Sequence, residues 1–248
     1  MSDQFMFLAV AMIAVTVLGL GKGGLVGLGT IATPLLALVA PPVVAAALLL
    51  PILIVQDVVG VGRFRHSWNR RIVAVMAPSA VVGIGLGWAF AATLPVSWLM
   101  GALGLMSIAF AIWRLWIERG GRIVAASNSP DWVGALFGVA TGFTSQIGHA
   151  GGPPFQNWVT PKRLPHEEYV GTGAVLFAII NWVKVPAFIA LGGLTLQTLK
   201  TSAMLMPLAI ASTFAGVWVV RRIKGHSFYI IIYLLMILLG GKLLWGAF

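Results

Sequence analysis

The stretch TSQIGHAGGPP, Thr144–Pro154, interrupts an apolar part of the chain and decides the fold. Glycine costs about 1 kcal/mol and proline about 3 kcal/mol inside a helix, so this stretch predicts a break between two helical segments. At membrane depth, irregular backbone persists only where protein or a wet cavity satisfies its N–H and C=O groups. A related stretch, GLGKGG at Gly19–Gly24, lies about one half of the chain earlier. Two such breaks, one in each half, indicate the substrate site of a secondary transporter.

The composition predicts a polytopic membrane protein. Of the 248 residues, 59% are hydrophobic and 9% are charged, whereas a soluble domain carries about 25% charged residues. A lipid bilayer is therefore the expected surrounding. The net charge of +10 does not indicate nucleic-acid binding, because the cations fall in clusters between apolar segments instead of along one face. The chain has no cysteine, which excludes disulfides and thiol chemistry.

The apolar segments divide into two halves, residues 1–120 and 132–248, joined by a polar linker at residues 121–131. Each half contains five apolar segments, of which the second is short and the other four are long. A helix that crosses a membrane needs roughly 20 residues. The sequence thus predicts an all-α protein with 8–10 membrane segments, some short and broken. The predicted segments are Phe5–Leu20, Leu25–Val39, Val43–Val61, Ile72–Ala92, Trp98–Ile117, Trp132–Ile147, Phe155–Thr160, Tyr169–Leu191, Thr198–Val220 and Phe228–Gly246.

The first two segments of each half allow two interpretations. Both segments cross the membrane, or they form a re-entrant hairpin that turns near the midplane. Phe155–Thr160 is too short to cross at 1.5 Å per residue, which favours re-entry. The hairpin arrangement would bring the two glycine-rich breaks to one central place.

The distribution of cations predicts the orientation. Four connections carry 11 of the 16 Lys and Arg residues, and we place these connections in the cytoplasm. Both termini then lie in the periplasm, and an odd number of crossings per half makes the two repeats inverted. Pro78 and Pro207, 129 residues apart, support this pairing of the halves. The cations are Arg63, Arg65, Arg70, Arg71, Arg119, Arg122, Lys162, Arg163, Arg221, Arg222 and Lys224.

The candidate substrate-binding residues are those that offer amide, hydroxyl or cationic donors at the breaks or inside a span. Glycines at a break expose backbone N–H groups, and the positive end of a following helix favours an anion. Asn181 and Lys184 are three residues apart, so they share one helix face within a span. The complete set is Lys22, Gly23, Gly24, Ser145, Gln146, His149, Gly151, Gly152, Asn181 and Lys184.

Several of these residues have two interpretations. Lys22 provides a counter-charge for an anionic substrate, or it extends to the cytoplasmic surface from the end of the first segment. His149 coordinates an anion or carries a proton, or it bonds a neighbouring carbonyl. Asp57, with Gln56 beside it, takes part in ion coupling or forms a structural ion pair with Lys22 or Lys184. The sequence around His149 has no second metal-ligating side chain nearby, so we predict no metal site and no cofactor.

The motifs resemble those of the sulfite exporter TauE/SafE family of membrane permeases. The resemblance is carried by Gly19–Gly24 with Pro34–Leu38, Leu50–Asp57, His149–Pro154, and Gly171-Thr172 followed by Asn181 and Lys184. It implies a bacterial inner-membrane permease for small, often sulfur-containing anions such as sulfite, sulfonates or sulfoacetate. Lys22 stands where many members have an uninterrupted glycine triplet, which fits a site with one more positive charge.

The sequence therefore predicts a secondary transporter that moves a small anion by alternating access, coupled to H⁺ or Na⁺. A homodimer is compatible with the sequence. An intramembrane enzyme is the first alternative, although Asp57, His149 and Ser145 lack the spacing of a known catalytic triad. A passive anion channel is the second alternative.

Overall fold

A computed structural model describes residues 2–22, 28–121, 126–220 and 226–248. Within these ranges the chain is all-α, without any β-strand, as predicted. The predicted segment Leu25–Val39 consists of a 3₁₀ turn, Leu28–Ile31, and a five-residue helix, and its first three residues lie outside the described ranges. The helices are α1 (Ser2–Lys22), α2 (Ala32–Leu36), α3 (Pro42–Phe64), α4 (Arg70–Thr93), α5 (Val96–Glu118), α6 (Asp131–Gly148), α7 (Gly152–Val159), α8 (His166–Ala190), α9 (Leu196–Val220) and α10 (His226–Trp245).

Five of the described helical stretches are long and apolar enough to cross a membrane, and α10 contains a shorter apolar stretch, Ile230–Trp245. These lengths and compositions agree with the predicted polytopic membrane protein. The five stretches are Gln4–Lys22, Pro42–Phe64, Arg70–Thr93, Val96–Glu118 and His166–Ala190.

The chain forms two compact units, each built from both halves of the sequence. Unit 1 comprises Met1–Ile52, Leu94–Gly121 and Gly193–Phe248, and unit 2 comprises Leu53–Thr93 and Arg122–Gly192. The division into repeats at 1–120 and 132–248, and their inverted relation, stay predictions.

In unit 1, α1 packs against α9, and α5 packs against α10. Small residues allow both contacts: a Cβ at Gly19 would overlap Ser212, and one at Gly104 would lie 2.6 Å from the carbonyl oxygen of Gly240. The 3₁₀ turn and α2 pack against α1, so the chain folds back on α1 after the first break. The core of this unit consists of Leu28, Ile31, Phe110, Ala111, Ile232, Tyr233 and Met236.

In unit 2, α4 lies along α6 at close range. A Cβ at Gly83 would overlap the carbonyl oxygen of Val139, and one at Gly142 would overlap that of Ala80. Only glycine permits this approach of two backbones. The core beside it joins α4, α7 and α8 through Ile72, Val73, Met76, Ala80, Ile84, Phe155, Trp158, Val159, Leu176 and Ile180.

Helices α6 and α7 form an antiparallel hairpin. Near the turn, a Cβ at Gly151 would lie 2.9 Å from the carbonyl oxygen of Thr141 on α6. Near the open end, the ring of Trp158 on α7 covers Gly134 on α6. The short helix therefore returns alongside the long one, as the re-entrant interpretation requires, and the position of this hairpin in a membrane stays a prediction.

The glycines of α4 provide a test of the α4–α6 contact. Gly83→Leu places a side chain into the backbone of α6 and should destabilise the protein by about 1–3 kcal/mol or more. Gly85→Leu is the matched control, because a Cβ there meets no described atom within 4 Å. Thermal melting of the purified protein in detergent measures both. Equal melting temperatures for the two variants would contradict the packing.

Candidate functional site

The end of α6 is held in a backbone conformation that is unusual for its residue. His149 follows Gly148 with φ 54° and ψ 26°, in the left-handed region that glycine normally occupies at a helix C-terminus. Its N–H donates to the carbonyl of Ser145 at 3.1 Å, and the N–H of Ala150 donates to that of Thr144 at 3.2 Å. A left-handed residue with a side chain costs roughly 1–2 kcal/mol. Interactions of the imidazole must offset this cost.

That imidazole contacts Lys184 of α8, which is fully buried at 0% exposure. The Nζ of Lys184 lies 2.7 Å from Nδ1 of His149, 3.0 Å from Oγ of Ser145 and 3.2 Å from the carbonyl oxygen of Ser145. An ammonium group has three donors, and these contacts engage all of them. With Lys184 charged, Nδ1 of His149 accepts and the ring proton resides on Nε2. The lysine thereby holds the end of the broken helix.

The same face of α8 also holds a carboxylate from α3. Asn181, one turn before Lys184, donates from Nδ2 to Oδ2 of Asp57, and both side chains are buried. The site thus combines the buried Lys184 of α8 with the buried carboxylate of Asp57 from α3, which Asn181 holds one turn away. A charge removed from water costs several kcal/mol unless other groups compensate, and such groups inside a membrane protein usually serve function.

Gln146 adds a buried polar side chain near the C-terminal end of α6. It is 2% exposed, and neither its Oε1 nor its Nε2 has a hydrogen-bond partner among the described residues. Its stem packs on α4, where a Cβ at Gly87 would lie 2.9 Å from the Cβ of Gln146. A buried amide without partners costs about 1–3 kcal/mol, which a polar ligand would offset.

The start of α7 lies at the break and offers few backbone N–H groups to a ligand. Gly151 precedes α7, Gly152 is its first residue, and Pro153 and Pro154 follow. The first N–H groups of a helix have no partner within it, and proline has no N–H. The amides that a ligand could reach at this helix end are therefore those of Gly151 and Gly152. Prolines suit the first turn of a helix, because the N–H that they lack would have no partner there.

The structure brings together most of the predicted site residues of the second half. Hydrogen bonds join Lys184 to Ser145 and His149, while Asn181 lies one turn earlier on α8 and bonds Asp57. Gln146 lies in the last turn of α6, and Gly151 lies close to Ser145. Each of these residues lies in unit 2.

The predicted residues of the first half lie elsewhere or outside the described part. Lys22 is exposed in the last turn of α1, which belongs to unit 1, and Gly23 and Gly24 lie outside the described residues. Gln56 is buried beside Asp57 on α3. A binding role for Lys22, Gly23 and Gly24 and a coupling role for Gln56 and Asp57 stay predictions.

Sequence reasoning missed Phe188, whose ring lies against His149 with centroids 6.2 Å apart. Its position four residues after Lys184 was a usable signal, because residues at that spacing share a helix face. Gly171 and Thr172 of the motif lie near the start of α8, where Thr172 accepts the N–H of Asn69. Across the described ranges, no three His, Asp or Glu side chains come close enough to hold a metal ion.

Comparison with known families decides the identity of the chain. The family model described as sulfite exporter TauE/SafE matches residues 7–243. The chain belongs to this family. TauE/SafE proteins are membrane transporters and not enzymes, which agrees with the predicted class of function. No curated protein and no solved structure matches the chain.

The left-handed residue of this TauE/SafE protein can be tested by two variants that both lack the imidazole. His149→Gly and His149→Ala differ only in a Cβ at positive φ. The glycine variant should be more stable by about 1 kcal/mol, because alanine retains the left-handed penalty. Thermal melting in detergent measures the difference. An alanine variant as stable as the glycine variant would show that residue 149 is not left-handed.

Proposed function

We propose that this TauE/SafE protein is a secondary transporter that moves a small anion by alternating access. The anion would belong to the class of sulfite, sulfonates and sulfoacetate, and the membrane would be a bacterial inner membrane. The single observation that carries this proposal is Lys184, fully buried and bonded to Ser145 and His149 at a broken helix end. The family supports a transporter of the sulfite exporter type.

The donors at the break favour an anion over other solutes. Lys184 supplies an ammonium, Gln146 an amide without a described partner, and Gly151 and Gly152 supply backbone N–H groups at the start of α7. The N-terminus of α7 adds a partial positive charge beside these two amides. An arriving oxyanion would take over donors that Lys184 now directs to Ser145 and His149. Its charge would be compensated by the lysine that is already buried there.

In both units, a helix of one half of the chain packs on a helix of the other half, which supports a mechanism based on two repeats. In unit 1, α1 of the first half packs on α9 of the second; in unit 2, α6 of the second half packs on α4 of the first. These pairs correspond to each other if the halves are related by a shift of 128 or 129 residues. Pro78 within α4 and Pro207 within α9 match at the same shift. Inverted repeats of this kind permit alternating access.

Lys184→Met should reduce transport at least about tenfold, because it removes a charge-assisted donor and keeps a stem of similar length. The assay is uptake of labelled sulfite, sulfoacetate and a simple sulfonate into proteoliposomes. Lys200→Met is the matched control, because Lys200 is exposed on α9. Imposed H⁺ or Na⁺ gradients in the same assay identify the coupling ion.

Two checks keep this transport experiment decisive. Ser145→Ala, which removes one acceptor of Lys184, should give a smaller loss in a protein with an unchanged gel-filtration profile. Unchanged transport in Lys184→Met, or equal losses in Lys184→Met and Lys200→Met, would refute the proposed site. Flux that never accumulates anion against its gradient would favour a channel, and turnover of the solute would favour an enzyme.

The proposed orientation has both termini in the periplasm. Single cysteines at Ser67 and Ser127 should be shielded from an impermeant thiol reagent in intact cells, whereas one at Thr195 should react. The natural absence of cysteine makes each label specific. Labelling of the cysteines at residues 67 and 127 from outside would contradict the proposed orientation.

A further inference from the structure

We propose that unit 2 carries a second oxyanion site, separate from Lys184, in a cavity near the start of α4 and α6. The cavity has a volume of about 340 Å³. Its lining includes Asn69, Arg71, Ser129, Asp131, Trp158 and Lys162. These residues come from the starts of α4 and α6 with the residues just before them, from the end of α7 and from the connection to α8. The cavity therefore lies at the open end of the α6–α7 hairpin.

The charged residues of the lining leave a net positive charge. Arg71 and Asp131 form an ion pair, with Nη2 and Oδ2 3.0 Å apart. Lys162 is the other charged residue among those that line the cavity, and its Nζ lies 4.2 Å from the ring centroid of Trp158. Because Asp131 already offsets Arg71, Lys162 makes the lining favourable for an anion.

Two buried donors of the lining have no partner within the described ranges. These atoms are Oγ of Ser129 and Nε1 of Trp158, and Trp158 is only 1% exposed. The absence of a side chain at Gly134 makes room for the Trp158 ring, so the backbone of α6 determines where the indole lies. A buried donor without an acceptor costs about 1–3 kcal/mol, and a ligand with several acceptor oxygens would remove this cost.

The helices that begin at the cavity add to this preference. Both α4, from Arg70, and α6, from Asp131, start here, and the N-terminus of a helix favours an anion. In α4, Oδ1 of Asn69 already accepts the N–H of Ile72. The N-cap residue of α6 is Pro130, which makes no side-chain hydrogen bond to the helix. Val133 and Gly134 donate to the carbonyl of Pro130, so the first turn of α6 keeps the N–H groups of Asp131 and Trp132 for a ligand.

The length of α6 separates this cavity from the Lys184 centre. Asp131 at the cavity and Ser145 at the break are 14 residues apart in the same helix, which corresponds to about 21 Å. One small anion cannot occupy both places. The ligand chemistry is that of a sulfate- or phosphate-type oxyanion, either free in solution or carried by a lipid headgroup.

The experiment measures binding of labelled sulfate and phosphate to the purified full chain in detergent. A Lys184→Met background removes the proposed transport site, so binding that remains there reports the cavity. Lys162→Gln in this background should weaken binding about tenfold, the loss expected for one charge-assisted hydrogen bond. Arg163→Gln is the matched control, because Arg163 is the exposed neighbour and does not line the cavity. It should leave the affinity unchanged.

Further variants keep the test decisive. Ser129→Ala removes a hydroxyl that has no partner in the described structure, so it should weaken binding several-fold without lowering the melting temperature. Equal losses in Lys162→Gln and Arg163→Gln, or no binding in the Lys184→Met background, would overturn the second site. Loss of transport in Lys184→Met, together with binding that remains and depends on Lys162, supports both the transport site and the second site. The transport assay and the binding assay can also fail separately, so each proposal is tested by itself.

A second binding experiment, in lipid nanodiscs, distinguishes a free oxyanion from a lipid headgroup. Nanodiscs of phosphatidylglycerol are compared with nanodiscs of phosphatidylcholine in the same binding assay. Competition by phosphatidylglycerol that Lys162→Gln abolishes supports the site with a lipid headgroup as ligand. Equal sulfate binding in both lipids, still sensitive to Lys162→Gln, supports the site with a free anion as ligand.

Discussion

The structure of unit 2 depends on the contact between the buried ammonium of Lys184 and the C-terminal end of α6. The last carbonyls of a helix have no partner within that helix, and an ammonium group without acceptors is costly inside an apolar protein. Nζ of Lys184 bonds the hydroxyl of Ser145 and its carbonyl, which also accepts the N–H of His149. The lysine and the end of α6 therefore provide hydrogen-bonding partners for each other inside the protein.

This contact explains why the break contains a histidine where a glycine would be easier to accommodate. His149 adopts a left-handed conformation and directs Nδ1 to Lys184 at 2.7 Å. The conformational cost is offset by a third acceptor for the ammonium. The position is therefore polar and conformationally constrained, two properties expected at a binding site more than at a simple turn.

Glycine has a different role along the α6–α7 hairpin. At Gly142 and Gly151 it lets neighbouring backbone and side chains approach α6, and at Gly134 it makes room for the ring of Trp158. The hairpin consequently places the break at one end and a basic cavity at the other, with about 21 Å of helix between Asp131 and Ser145. One rigid element connects two places that differ in charge and exposure.

The sequence by itself determined the helical segments, the break and the residue types of the site, because apolar length and the cost of Gly and Pro in helices are local properties. The 3.6-residue period also placed Asn181 and Lys184 on one face. Only the tertiary structure decided which groups meet: that Lys184 bonds Ser145 and His149, that Asn181 bonds Asp57, and that Trp158 reaches Gly134. Gly83 and Gly85 are two residues apart in the same apolar helix, yet of the two only Gly83 contacts α6 closely. These pairings depend on how helices distant in sequence pack against each other, and no local preference of the chain specifies that packing.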